Sequence, residues 1–143
     1  MRIVLQALLV AVVGPAIVHA SEPLLGLQVG GARIEAEYAR SPAERERGLM
    51  ERTEMAADHG MLFRFDDFRR HCLWMKNTPL PLDMIFIDAD GVIARIAEDT
   101  TPFSETIIPS VAPVRYVLEL NGGTAAQRGI AAGDKVRHRV IGK

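Results

Sequence analysis

Five side chains in the second half of the chain are of types that together could bind a small polar ligand. A tryptophan offers an aromatic platform, a lysine an ammonium group, an asparagine an amide, and two acids their carboxylates. A Thr-Pro-Leu-Pro segment at 78–81 lies among them and limits their freedom, because proline fixes its own backbone. This mixture suits a sugar, an amino acid or a cell-wall fragment. The predicted ligand-binding residues are Trp74, Lys76, Asn77, Asp83 and Glu119.

Two alternatives to ligand binding remain open from the sequence. Asp83 and Glu119 could serve as acid and base in a small envelope hydrolase, provided that they face one cavity and burial raises the pKa of one of them. The cluster could instead be structural, with Asp83 accepting backbone amides, Lys76 pairing with Glu119, and Asn77 holding the loop. The sequence does not decide whether the protein is an enzyme.

The single cysteine, Cys72, cannot form an internal disulfide. Alternation along a strand points Cys72 the same way as Trp74 and Lys76, and His71 the opposite way. A Cys72–His71 dyad is therefore disfavoured, and we expect a half-buried thiol that packs beside the tryptophan.

No metal or cofactor is expected. The histidines after residue 20 have no paired spacing, and the turn at 88–91 lacks the later acid of a calcium loop. Methionines could bind copper(I), but their irregular spacing favours core packing. They are Met50, Met55, Met61, Met75 and Met84.

The first twenty residues have the three-part pattern of a secretory signal peptide. A positive start at Met1-Arg2 precedes the apolar run Ile3–Val13, Gly14-Pro15 breaks the helix, and small residues lead to a predicted cleavage after Ala20. A membrane anchor is the alternative, but a span needs roughly 20 apolar residues and this run is interrupted. We expect a periplasmic or secreted protein with no membrane span after cleavage.

The length of 143 residues predicts one globular domain, at 21–143. Without Arg2 that domain carries 16 basic and 18 acidic residues, which are interspersed along the chain. No basic stripe could neutralise a row of phosphates, so we expect no nucleic-acid partner. The oligomeric state does not follow from the sequence.

Short apolar stretches with period-two alternation predict many short antiparallel strands. They cover 24–29, 33–39, 60–65, 71–76, 83–88, 92–97, 115–120 and 135–141, and an Asp-Gly turn joins the sixth of these segments to the fifth.

Two short helices interrupt this pattern. A capping box of Ser41 and Glu44 begins the first, which ends at Gly48, and Thr124 and Gln127 form a second capping box for a helix at 124–128. A long loop runs from Glu98 to Pro113. The predicted fold is mostly β, a compact antiparallel sandwich or partly closed barrel with two short helices.

Several separated motifs resemble those of domain-of-unknown-function family 192. The resemblance covers about 25–140 and implies a compact, mostly-β fold and frequent export, but no reaction, substrate or cofactor. The motifs are Arg47-Gly48-Leu49-Met50, Gly60-Met61-Leu62-Phe63, Trp74-Met75-Lys76-Asn77-Thr78, Pro81-Leu82-Asp83, Phe86-Ile87-Asp88, and Tyr116-Val117-Leu118-Glu119-Leu120 with the later Gly123, Gly129-Ile130 and Gly133-Asp134.

These observations favour an exported binding or accessory module over the hydrolase. Its cleft would lie near the five predicted site residues and be covered by the loop at 98–113. Its partner would be a small polar ligand or an envelope protein.

Overall fold

The computed structural model describes residues 22–143, so the predicted signal peptide and its cleavage site after Ala20 lie outside the described residues. The strands are β1 (Leu25–Val29), β2 (Ala32–Ala39), β3 (His59–Arg69), β4 (Cys72–Leu73), β5 (Leu82–Ile87), β6 (Ile93–Ala97), β7 (Ile108–Pro109), β8 (Val114–Asn121) and β9 (Val136–Arg137). The helices are α1 (Pro42–Arg47) and α2 (Thr124–Arg128).

Seven strands form one curled sheet in the order β6-β5-β8-β3-β2-β1-β9, and β4 pairs with β7 in a separate ribbon. The two edges of the large sheet meet at one end, where Val92 and Lys135 form an antiparallel bridge. The predicted mostly-β fold with two short helices is thus confirmed as a half-barrel. The pairing of β2 with β3 is parallel, because α1 carries the chain back before β3 begins.

Both faces of the curled sheet are buried. One apolar cluster takes side chains from all seven strands of the sheet and fills the inside of the curl. A second cluster covers the outer face, where Leu49 after α1 and Met75 after β4 pack onto the strands. The outer cluster includes Phe63 and Val117 from the two central strands. The candidate site lies at the margin of this outer cluster.

The first predicted capping box is confirmed and the second is wrong. The Ser41 hydroxyl accepts the Glu44 amide at 3.2 Å, and the Glu44 carboxylate accepts the Ser41 amide at 2.7 Å. Helix α2 instead has Gly123 as its N-cap residue, with a left-handed φ of 85°. A glycine has no side chain that could accept a hydrogen bond from the helix. A carboxylate from β5, that of Asp83, accepts the first amides of α2 and replaces the expected cap.

The sequence predicted longer strands at 71–76 and 135–141 than the structure contains. Strand β4 ends at Leu73 because the chain turns away, and the Met75 amide donates to the Ser104 carbonyl at 2.9 Å. The long loop at 98–113 includes the short strand β7, which pairs with β4. Within residues 22–143, no helix is long and apolar enough to cross a membrane.

Candidate functional site

A cleft of about 160 Å³ opens on the outer face of the sheet, between the end of α1 and the segment after β4. Its lining combines apolar and polar side chains, and it contains three of the five predicted site residues: Trp74, Lys76 and Glu119. The structure places Asn77 beside the cleft and Asp83 on the opposite face of the sheet.

Glu119 is the buried acid of this cleft. It lies on β8 directly between Met61 of β3 and Met84 of β5, so the sheet holds its side chain among thioethers and aromatic rings. Only 5% of its surface is exposed, and no hydrogen bond or ion pair joins it to another residue of 22–143. No side-chain oxygen that is closed off from solvent lacks a partner in this part of the chain, so the carboxyl oxygens reach the open space of the cleft. Burial raises its pKa to about 8, so at neutral pH this carboxyl group is largely protonated.

Trp74 and Lys76 stand at the rim of the cleft because the residue between them is anchored. Met75 is fully buried, and the Thr100 hydroxyl lies 3.1 Å from its sulfur. Trp74 is 42% exposed, and the Lys76 ammonium lies 5.0 Å from the centre of its ring. The nearest ion-pair partner of Lys76 is Glu105 at 3.8 Å, so the suggested pairing with Glu119 is absent from the structure.

Asn77 follows Lys76 and has a left-handed backbone conformation. Its φ of 54° lies in the left-handed region, and its carbonyl accepts the Glu51 amide at 2.7 Å. Its side chain is exposed and borders a shallow depression next to the cleft together with Trp74 and Lys76. The backbone of Asn77 therefore holds the loop, which is the structural role that the sequence offered as an alternative to ligand binding.

Asp83 is fully buried on the inner face of the sheet. Its carboxylate accepts the amides of Asp99 at 2.8 Å, Gly123 at 3.1 Å and Ala125 at 2.8 Å. These bonds tie the loop after β6 and the start of α2 to β5. Asp83 and Glu119 face no common cavity, so the geometry contradicts an acid–base pair made of these two residues.

Cys72 also borders the cleft, and it is exposed rather than half-buried. Neighbouring His71 points inward, where its ring stacks on Phe65 at a centroid distance of 3.8 Å. Burial lowers the pKa of His71. The two side chains therefore project to opposite sides, as strand alternation predicts. Among the described residues, no group of three or more His, Cys, Asp or Glu side chains could hold a metal ion.

Arg47 is a cleft residue that the sequence analysis did not select. It lies in the last turn of α1, is exposed, and forms no ion pair within the described part of the chain. Arg45, on the same helix, differs from Arg47 because its guanidinium donates to the Arg64 carbonyl at 2.8 Å and pairs with Asp66. Arg47 is thus the arginine of the cleft that remains available to a ligand.

A second cleft, of about 610 Å³, lies on the other side of Met61 and contains a network that the sequence did not suggest. Both terminal nitrogens of the Arg52 guanidinium, Nη1 and Nη2, donate to the Glu37 carboxylate, and His59 Nε2 lies 2.8 Å from Glu37 Oε1. The Arg52 hydrogen bonds hold the pKa of Glu37 below its usual range. The three groups satisfy one another, which is typical of a structural network.

The fold places the chain among small, mostly-β half-barrels, and in this chain a buried acid faces a cleft beside an exposed tryptophan. The chain belongs to the DUF192 family, described as "Uncharacterized ACR", whose model matches residues 26–138.

Two solved structures resemble the chain, each with a TM-score of 0.79. One, from Sinorhizobium meliloti 1021, is described as a "putative transcription regulator"; it is 46% identical and the alignment covers 83% of this chain and 96% of that chain. The other is a protein of unknown function from Novosphingobium aromaticivorans DSM 12444, 38% identical, with coverages of 89% and 94%. No curated protein matches the chain.

Proposed function

We propose that the protein is an exported binding module that recognises a small polar ligand in the cleft of Trp74, Lys76 and Glu119. One observation carries the proposal: Glu119 is an acid with only 5% of its surface exposed, it lines the cleft, and it receives no hydrogen bond from residues 22–143. Perturbed acids in clefts are typical of functional sites.

The energetics of burial support a ligand at this position. Moving a carboxyl group out of bulk water costs free energy, and the raised pKa of Glu119 reflects that cost. An apolar residue at position 119 would avoid that cost, since both neighbours across the sheet are methionines. A ligand that hydrogen-bonds to the carboxyl group recovers part of the cost on binding, and this makes the group useful for recognition.

The size of the cleft supports a small molecule rather than a drug-sized cofactor. Its volume of about 160 Å³ is below the roughly 300–1,000 Å³ of sites for drug-sized ligands. An envelope protein that covered only the exposed Trp74 would leave the buried carboxyl of Glu119 unpartnered. The cleft therefore favours the small ligand over a protein partner.

Trp74 is the only tryptophan of the chain, which provides a direct test of binding. We would titrate its fluorescence with glucose, N-acetylglucosamine, alanine, glutamate and a peptidoglycan fragment. Saturable changes that weaken at least tenfold in Lys76→Ala, but persist in the surface control Lys135→Ala, support the proposal. A signal unaffected by every probe, or equally affected in both variants, contradicts it.

Export is a separate part of the proposal and rests on the pattern of the first twenty residues. The complete coding sequence would be expressed in a bacterial host and the periplasmic fraction separated. We expect the protein in that fraction, with an intact mass that corresponds to cleavage after Ala20. Recovery of uncleaved protein from the cytoplasm alone would contradict export without affecting the binding proposal.

A further inference from the structure

We infer that the ligand of the cleft is a small amino-carboxylate such as a free α-amino acid, with its ammonium group on Glu119 and its carboxylate between Arg47 and Lys76. This inference rests on the proposed binding function and adds the chemical class and the orientation of the ligand.

Glu119 and the apolar residues around it favour the ammonium end of the ligand. Glu119 is the acid at the floor of the cleft, and Leu49 and Phe63 provide apolar surface around the same cleft. In such surroundings a charge-assisted bond between a carboxylate and an ammonium group is about twice as strong as a neutral hydrogen bond. An amine therefore gains more from Glu119 than a hydroxyl group does.

The rim of the cleft selects the carboxylate end. Arg47 forms no ion pair within residues 22–143, and Lys76 has only the exposed Glu105 at 3.8 Å. Exposed pairs of this kind contribute at most about 1 kcal/mol, so both cations can exchange partners at little cost. Glu46 is the exposed acid that lines the cleft, and Glu105 does not line it, so Arg47 and Lys76 face one exposed acid there.

The volume of the cleft fits a ligand with these two ends close together. At about 160 Å³ the cleft is smaller than the roughly 300–1,000 Å³ of sites for drug-sized ligands. A compact molecule such as glycine or alanine suits this space better than an extended peptide does. Phe65 and Met50, which also line the cleft, provide apolar contact for a short side chain.

Binding in this orientation moves a proton. The charged and titratable groups that line the cleft with Glu119 come from α1, from β4 and from the segment after β4: Arg45, Glu46, Arg47, Cys72 and Lys76. Beyond Met61, Glu37 and His59 line the second cleft. Because burial raises the pKa of Glu119 to about 8, the empty site holds a proton at pH 7. An ammonium group favours the ionised carboxylate, so an amine releases that proton on binding and a hydroxyl ligand does not.

The test is calorimetry of the mature protein at pH 7 with alanine, in two buffers of different ionisation enthalpy. We expect saturable binding and release of about one proton per alanine, taken from the difference between the buffers. Lactate, which carries a hydroxyl group in place of the amine, should bind at least tenfold more weakly. Ethylamine, which lacks the carboxylate, should also bind more weakly than alanine.

Two variants separate the ends of the ligand. Glu119→Gln should abolish proton release and weaken the binding of alanine at least tenfold. Arg47→Ala should weaken the binding of alanine but leave the affinity for ethylamine unchanged. Arg137→Ala, an exposed arginine on β9, is the control and should bind as the native protein does. Thermal unfolding of each variant shows whether it is folded, so loss of binding in a folded Glu119→Gln can be assigned to the site.

The outcomes distinguish this inference from the function on which it rests. Saturable binding of glucose or N-acetylglucosamine with none of alanine would overturn the amino-carboxylate class and leave the binding module intact. Binding of alanine without proton release, or with equal affinity in Glu119→Gln, would overturn the assigned orientation. Absence of binding by every probe would contradict the binding module itself.

Discussion

Asp83 and Glu119 project from opposite faces of the same sheet. Glu119 lies across from Met84, while Asp83 lies across from Leu120, and a shift of one residue reverses the face. The environments differ accordingly. Asp83 accepts three backbone amides, whereas no hydrogen bond or ion pair joins Glu119 to another residue of 22–143. One acid therefore stabilises the fold and the other is available to a ligand.

Asp83→Ala should strongly destabilise the protein. It removes three hydrogen bonds to a buried carboxylate and leaves amides at Asp99, Gly123 and Ala125 without their acceptor. Each bond to a charged group contributes about 1.5–3 kcal/mol, so we expect a loss of at least about 3 kcal/mol in urea unfolding. Asp88→Ala is the control, because this carboxylate accepts two amides in the less buried hairpin turn. Equal losses in the two variants would refute the special role of Asp83.

The stability of the protein should fall with rising pH because of Glu119. Its folded-state pKa of about 8 lies above the ordinary 4.5, so the folded protein binds the extra proton between those values. Its contribution is therefore full below pH 4.5 and is lost as the pH approaches 8, with a slope of up to about 1.4 kcal/mol per pH unit.

Glu119→Gln removes this titration and provides the comparison. We expect the variant to gain stability relative to the native protein as the pH rises from 5 to about 8, measured by urea unfolding at each pH. A constant difference across the range would mean that the Glu119 carboxyl is solvated and ordinary.

Glu37 should show the opposite pH dependence. Hydrogen bonds from Arg52, and then from His59, lower its folded-state pKa below 4.5. Its stabilisation is present above the ordinary pKa and is lost as the pH falls through the folded value. Glu37→Gln should therefore be less stable than the native protein at pH 7, and the difference should shrink in acid. Glu35→Gln on the same strand, whose carboxylate pairs with the exposed Arg33, should show little effect at either pH.

Asn77 should tolerate glycine but not valine. Its φ of 54° is accessible to glycine and asparagine, whereas a β-branched side chain in the left-handed region costs about 1–2 kcal/mol. We expect Asn77→Val to lose that amount in urea unfolding and Asn77→Gly to remain close to the native protein. If Asn77→Gly lost as much as Asn77→Val, the amide side chain rather than the backbone would be the stabilising element.

Local signals in the sequence predicted most of the fold. The capping box of Ser41 and Glu44, the Asp-Gly hairpin at 90–91 and the alternation in β2 all act over a few residues, and the structure contains each of them. The cap of α2 could not be predicted in this way. Its acceptor is Asp83, more than forty residues from Ala125, and only the assembled sheet brings the two together.

The candidate site, like the fold, could be predicted only in part from local signals in the sequence. Trp74 and Lys76 line one cleft, as the sequence predicted, but β4 ends at Leu73, so the burial of Met75 and not strand alternation places them there. Arg47 reaches the cleft through the packing of α1 on the sheet, and nothing in its spacing indicates that. The burial of Glu119 has the same origin, since β3 and β5 place a methionine on each side of it.

The most direct measurement is an amide ¹H–¹⁵N NMR titration of the mature protein with alanine, compared with glucose. A ligand in the cleft should shift the amides of 45–50, 72–78 and 117–120 in a saturable manner and leave those of β9 and the hairpin turn at 88–91 unchanged. Glu119→Gln should remove the alanine shifts. Saturable shifts confined to other parts of the sheet, or none with any small polar probe, would contradict a ligand site built on Glu119.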